Sequence, residues 1–462
     1  MVTSENTQNN PQTPLSTLFG LIKRVRDDSL LRNSLFIMLT SGIGSATGYL
    51  YWVIAARTYS ASDVGLVSAI ISAMTLTSIL SILGFGSTIV QNLPHRAAGR
   101  DWSATVNTAL VAASVTSLLG GVVAVTILIS SPQFGTMANN TAYLAAFLFS
   151  IPLWTASTLV DAVFTAERVT GNMLVRNLIF SILKIVLLVA LIPFHIGGLG
   201  IFLSWIISAA VGVGIAFVLI RRLGRSYRFT LRGVWQQLRG INTSLIGHHF
   251  INISGAAPMY MLPLFVTVRL SAANNAYFAT TWTLGAQFAL ISVAVSVSLF
   301  AEGSHTVGNL LKKMSKCFWI LVILMTPIMI IFFIFGRSIL GIFGPAYAEN
   351  GWVLLLLLTF GAVPDATTSV YVSMLRVTKR LRSAAMLNTG MAFLTVVIAW
   401  VLLPVFGISG VGVAWLVAQS AGSIAAILDF AVVRRTMAAL PAIVPVDLAS
   451  MDGVPLVESR AL

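Results

Sequence analysis

Residues 193–220 read PFHIGGLGIFLSWIISAAVGVGIAFVLI, and residues 404–433 read PVFGISGVGVAWLVAQSAGSIAAILDFAVV. Each stretch opens on a proline, turns through glycines and continues as a mainly apolar run of about 20 residues, the length that spans a bilayer. Gly200, Ser204, Ser208, Gly212 and Ala216 put a small residue at every fourth position of the first run. Gly410, Ala414, Ala418, Gly422 and Ala426 repeat that stripe 210 residues later, and Trp205 and Trp415 stand at the same offset. Such stripes let helix backbones approach closely, so these positions read as packing surfaces within membrane bundles.

The repeat extends beyond these two stretches. Arg168-Val169-Thr170 recurs as Arg376-Val377-Thr378, Pro152 has a counterpart in Pro364, and Arg57 has one in Arg269. Shared composition makes membrane helices look alike, but it does not set several unrelated motifs at one offset near 210. Apolar runs cover 33–56, 63–91, 103–129, 141–161, 173–194, 198–220, 241–268, 274–301, 317–336, 351–375, 384–404 and 408–433. The expected fold is therefore all-α and membrane-spanning, with twelve transmembrane helices in two six-helix bundles. Six crossings per half is an even number, so both halves enter from one side and form a parallel repeat. The expected division is an N-terminal segment 1–32, a bundle 33–220, a basic linker 221–240, a second bundle 241–435 and a tail 436–462.

Of the 462 residues, 57% are hydrophobic and 9% charged, which excludes an ordinary soluble surface. With alternate loops on opposite sides, 24 of the 28 Lys and Arg residues fall on the side holding both termini. Arg57, Arg269 and Arg337 fall on the other side, and Lys184 lies within a span. This asymmetry predicts a multi-pass protein of the cytoplasmic (inner) membrane with both termini cytosolic. The net charge of +14 then faces anionic membrane lipids, and nucleic acid is excluded as a partner. The polar first 32 residues have no apolar core with a small-residue cleavage site, unlike a signal peptide. Cys317 is the single cysteine, and no Cys/His cluster calls for a metal or another cofactor.

Polar residues inside the spans mark the candidate site. Lys184 lies deep in the fifth span, on one helical face with Asn177 and Ser181. It either faces a wet cavity or pairs within its own half. Asp365 follows Pro364 mid-span and shares a face with Gly361, Thr368 and Ser369; it reads as a coupling carboxylate or as a partner of the kink. His248 and His249 precede Pro258 and Pro263 in the seventh span, where two prolines make a moving element and the histidines a proton-responsive pair or a solvated one. Arg57 and Arg269 end the first and seventh spans, as phosphate-recognising forks or as snorkelling anchors. Thr40, Gly44, Thr47 and Tyr51 form a polar stripe on the first span. Ser60 and Asp63 read as a capping box, and Asp429 as paired near Arg434 and Arg435.

From Asn33 to Pro94 the chain has an Asn-led first helix, an Ala-Arg close at Ala56-Arg57, an Asp63-Val-Gly65 start to the second helix and the turn Leu83-Gly-Phe-Gly86. This pattern resembles the polysaccharide-biosynthesis transporters, O-antigen-type flippases of the multidrug/oligosaccharidyl-lipid/polysaccharide (MOP) exporter superfamily. The Gly-rich entries and tryptophans of spans six and twelve are similar to that family too. The resemblance implies two bundles around a cationic cavity, moving a polyprenyl-diphosphate-linked oligosaccharide between leaflets by alternating access with an ion gradient. Lys184, Arg57 and Arg269 would contribute to that cavity. It also implies a glycan polymerase and other surface-polysaccharide assembly proteins as partners. The lipid II flippase branch carries fourteen helices and an arginine within the first, whereas the present chain has twelve and no basic residue inside span one. A multidrug exporter of the same superfamily is the alternative, although its pocket calls for acidic residues. A membrane glycan polymerase is a distant third, since the loops opposite the basic side are short and hold no paired carboxylates. We therefore expect a transporter and not an enzyme.

Overall fold

The computed structural model describes residues 29–230, 244–305, 310–378 and 380–439 (side chains at 29–31, 34, 244–252, 254, 293–294, 297–305, 310–313 and 432–439 excepted). Among the described residues twelve helices of 21 residues or more follow one another, one at each expected span. They are α1 (Ser29–Thr58), α2 (Ala61–Ser81), α3 (Arg100–Ile129), α4 (Thr141–Ala166), α5 (Thr170–Leu191), α6 (Gly198–Arg221), α7 (Ser244–Arg269), α8 (Ala272–His305), α9 (Leu310–Gly341), α10 (Pro345–Val377), α11 (Leu381–Phe406) and α12 (Ser409–Ala439). Below, the basic end of the bundle is the one with the arginine-rich loops, and the far end is its opposite.

Among the described residues, nine of these helices are long and apolar enough to cross a membrane by composition alone. The other three, α1, α7 and α8, each include residues outside the side-chain description. Together with α2 they meet between the two halves, where α2 packs on α7 and α8 and α1 touches α8.

Local chemistry sets the helix starts. Ser60 opens α2 as expected, its Oγ accepting from the Asp63 amide at 3.1 Å and donating to Asp63 Oδ2 at 2.6 Å. Asn140 opens α4, accepting from the amides of Ala142 and Tyr143. The second predicted span, 63–91, is not one helix. Leu83 and Gly84 take left-handed φ values of 48° and 83°, and a short separate helix follows at Phe85–Asn92. The glycine admits a reversal that an unbroken helix cannot.

The two halves repeat each other. In the first, α1 packs on α5, α5 on α6, α4 on α6, α3 on α4, and α2 on both α3 and α4. In the second, α7 packs on α11, α11 on α12, α10 on α12, α9 on α10, and α8 on both α9 and α10. Each pair in the second set is a pair of the first with six added. The turns agree as closely: Gly197 has φ 58° and ψ −143°, Gly407 has φ 58° and ψ −148°. All ten residues of the small-residue stripes are buried. A Cβ on Gly212 would touch Phe180 and Arg176 of α5, and one on Gly422 would collide with Met391 of α11. The stripes thus seat α6 and α12 on the preceding helix of their own half.

One core cluster crosses from half to half. It joins Tyr51, Val64, Val67 and Ile70 of the first to Ala272, Ala276, Phe343 and Tyr347 of the second. Asn275 Nδ2 donates to the Gly65 carbonyl at 2.7 Å, across the repeat offset of 210 residues. A Cβ on Gly65 would overlap the Ala272 carbonyl, so α2 and α8 touch backbone to backbone here.

Candidate functional site

Lys184 sits on α5 and is 3% exposed. Its Nζ lies over three rings: Trp205 at 4.7 Å, Phe180 at 5.2 Å and Tyr51 at 5.4 Å. Trp154 joins Phe180 and Trp205, and Trp52 joins Tyr51 and Trp205, closing an aromatic cage. Tyr51 is fixed from below, donating to the Ile201 carbonyl at 2.8 Å with Ser204 Oγ at 3.0 Å. Among the described residues no carboxylate pairs with Lys184. Each desolvated cation–π contact is worth up to about 2 kcal/mol. That offsets only part of the several kcal/mol that burial costs an ion.

Ser181 is buried on the same helix, but Asn177 belongs elsewhere. Its Oδ1 accepts from Arg176 at 2.9 Å and its Nδ2 donates to the Met173 carbonyl at 2.9 Å. Arg176, counted above among the loop cations, is 4% exposed inside the bundle and pairs with Asp161 at 2.7 Å. It also donates to Ser157 Oγ. Asp161 is absent from the sequence-based candidates because it closes a predicted span. The signal was present: Asp161 and Arg176 lie five and six residues from the ends of antiparallel helices joined by a three-residue turn, hence at equal depth.

A chamber of 330 Å³ lies between α7, α8, α10, α11 and α12. It runs from Arg376, in the last turn of α10 at the basic end, inward to Asp365, Thr395 and Trp415. Thr368, Ser369, Ser373, Asn388 and Gln419 supply hydroxyls and amides along the wall. Asp365 Oδ2 accepts from Ser292 at 3.0 Å, and Thr368 reaches Gln419 Oε1 at 3.4 Å. A second space of 170 Å³ continues past Asp365 and Trp415 among Met259, Trp282, Phe288 and Leu358. Trp282 and Trp415 meet edge to face at 5.2 Å. Gly361 leaves room for the Trp415 ring, which a Cβ would meet at 3.0 Å.

Pro258 lines both spaces beside Gly255, and Pro263 is buried on the same helix. Thr267 Oγ1 donates to the Pro263 carbonyl at 2.8 Å. His248 and His249 lie on α7 with side chains outside the described residues. The two equivalent arginines part ways. Arg269 stacks on Trp400 of its own half at 4.5 Å, an anchoring contact. Arg57 reaches across to the other half, donating to the Ile342 carbonyl at 2.7 Å and to the Gly341 carbonyl at 2.9 Å. Lys184, Arg57 and Arg269 are therefore not brought together in this conformation. Asp429 pairs with Arg380 at 3.0 Å and accepts from the Tyr371 hydroxyl; the side chains of Arg434 and Arg435, which the sequence placed near it, lie outside the described residues. Among the described residues no group of His, Cys, Asp and Glu could hold a metal ion.

No family model and no curated protein matches the sequence. Solved structures do. A multidrug resistance MATE family transporter of the MOP superfamily, in an inward-facing conformation, aligns at 13% identity over 86% of this chain and 99% of its own, with a TM-score of 0.63. The lipid II flippase MurJ, in an inward closed conformation, aligns at 14% identity over 86% of this chain and 87% of its own, with a TM-score of 0.69. The fold is that of the MOP-superfamily transporters. A third match is a MOP superfamily transporter from Pyrococcus furiosus described for the reverse polarity of its binding pocket, at 15% identity, 87% and 94% coverage and a TM-score of 0.56. At such identities the MOP likeness is one of architecture, and the substrate has to be argued from the residues.

Proposed function

We propose that this chain is a flippase of the cytoplasmic membrane that carries a polyprenyl-diphosphate-linked oligosaccharide to the outer leaflet by alternating access, for surface polysaccharide assembly. The α7–α12 chamber is the observation that carries the reading. Its wall joins amides and hydroxyls to one tryptophan face, and its two charges, Asp365 and Arg376, cancel. Saccharides are held by such planar and hydroxyl partners around an aromatic ring, whereas a trap for organic cations needs excess acid. Lys184, buried in the first half with no carboxylate partner among the described residues, has the sign a diphosphate requires. Asp365 is the candidate coupling group, as a proton carrier or a sodium ligand. With the basic end in the cytosol, the closed far end corresponds to a cytosol-facing state.

A second reading rests on the apolar annex. Asp365 with Trp282 and Trp415 would suit a small amphipathic cation, which would make the chain a multidrug exporter. Depletion separates the two. A flippase leaves lipid-linked oligosaccharide in the cytosolic leaflet and removes surface glycan; an exporter leaves both unchanged and sensitises cells to cationic drugs. Unchanged leaflet distribution and surface glycan would overturn the proposal.

A further inference from the structure

Arg57 ends α1 at the far end, and its guanidinium is exposed and paired with no carboxylate among the described residues. Its two bonds go instead to the carbonyls of Gly341, the last residue of α9, and of Ile342 directly after it, in the other half. Terminal carbonyls of a helix have no intrahelical donor and carry its partial negative charge, so a cation is the partner they favour. Immediately beyond, Phe343 is 2% exposed and packs edge to face on Tyr49 of α1 at 5.0 Å. Tyr347 follows, edge to face with Tyr277 of α8 at 5.0 Å. The α9–α10 turn is thus a plug seated against α1, and Arg57 holds its rim.

The repeat sharpens the point. Arg269, the counterpart of Arg57, lies on Trp400 within its own half and makes no bridge to the other among the described residues. One of two equivalent arginines spans the halves, and it does so where they must part for the far side to open. We infer that Arg57 is a latch: its bonds to the α9 carbonyls hold the far end shut, and their release is part of the step that opens it. Carbonyl partners suit this task. A buried salt bridge would have to be desolvated and resolvated in each cycle, whereas an exposed arginine exchanges carbonyls for water at small cost. The inference goes beyond the proposed substrate and needs none to be tested.

The test places spin labels on exposed far-end positions of each half, Ser62→Cys and Glu349→Cys, in a Cys317→Ser background reconstituted in lipid nanodiscs. The parent should show one dominant distance. Arg57→Ala should raise the population at longer distance about tenfold, the factor that roughly 1.4 kcal/mol of lost closure represents. Arg57→Lys, which keeps the charge but not the fork, should fall between. Arg269→Ala should leave the distribution as in the parent. An unchanged distribution in Arg57→Ala overturns the latch, as does an equal shift in both alanine variants, which would mean general loosening. If Arg57→Ala does not fold, Arg57→Gln reports instead, and an unshifted distribution there overturns the latch equally.

Discussion

At the residue scale, the informative fact about Lys184 is what it lacks. Its ammonium is buried on three aromatic faces with no carboxylate among the described residues. An apolar side chain of similar volume removes a desolvation cost and keeps the packing, so Lys184→Met should leave thermal stability equal or higher. If the ammonium serves transport, surface glycan display should nevertheless fall by at least tenfold; wild-type display would make Lys184 scaffold. The pair Asp161 and Arg176 behaves in the opposite way. Asp161→Asn leaves a buried guanidinium uncompensated and should cost about 3–5 kcal/mol, seen as a lower midpoint in detergent unfolding. Adding Arg176→Met should recover most of that loss, and a double variant no better than the single would show that the ion pair is not the cause. Sequence could place Lys184 inside the membrane because one charge in an apolar run stands out. It could not place Asn177, since helical phase tells which residues share a face and not which neighbouring helix that face meets. Asn177 is one position from Arg176, and that contact decided its allegiance.

At the element scale, the spans were legible because length and charge alternation constrain them independently. Among the described residues eleven of the twelve expected runs are single helices, and most ends agree within a turn. The break after Ser81 was harder, because Leu83, Gly84 and Phe85 look apolar enough to continue a span while glycine allows the chain to turn. Glycines in these helices are not equivalent, and that can be measured. Gly65 has the Ala272 carbonyl where a Cβ would stand; Gly42 has open space. Gly65→Ala should separate α2 from α8, lower the unfolding midpoint and abolish glycan display. Gly42→Ala should gain about 0.5–1 kcal/mol of helix stability and keep display. Equal behaviour of the two would show that the α2–α8 contact does not matter to the fold or the cycle.

At the scale of the molecule, the repeat was readable as an offset and the structure turns it into geometry. Helix pairings recur with six added, and Asn275 meets Gly65, its counterpart position, where the halves touch. What the offset could not show is that the two interiors differ. The first holds Lys184 in its aromatic cage, the second a chamber around Asp365 and Trp415, and a repeat read from small residues and turns is blind to both. Nor could it show which ends of the halves meet. Tyr49 and Phe343 lie on opposite halves at that meeting, with ring centroids 5.0 Å apart. If transport needs the halves to part there, a bridge between them must stop it. Tyr49→Cys with Phe343→Cys in a Cys317→Ser background, joined by a short disulfide-forming bifunctional reagent, should lose transport in proteoliposomes and regain it on reduction. Each single cysteine treated alike should remain active, which separates bridging from modification. Full transport by the bridged protein would place the moving contact elsewhere and leave the far-end closure a fixed feature of the fold.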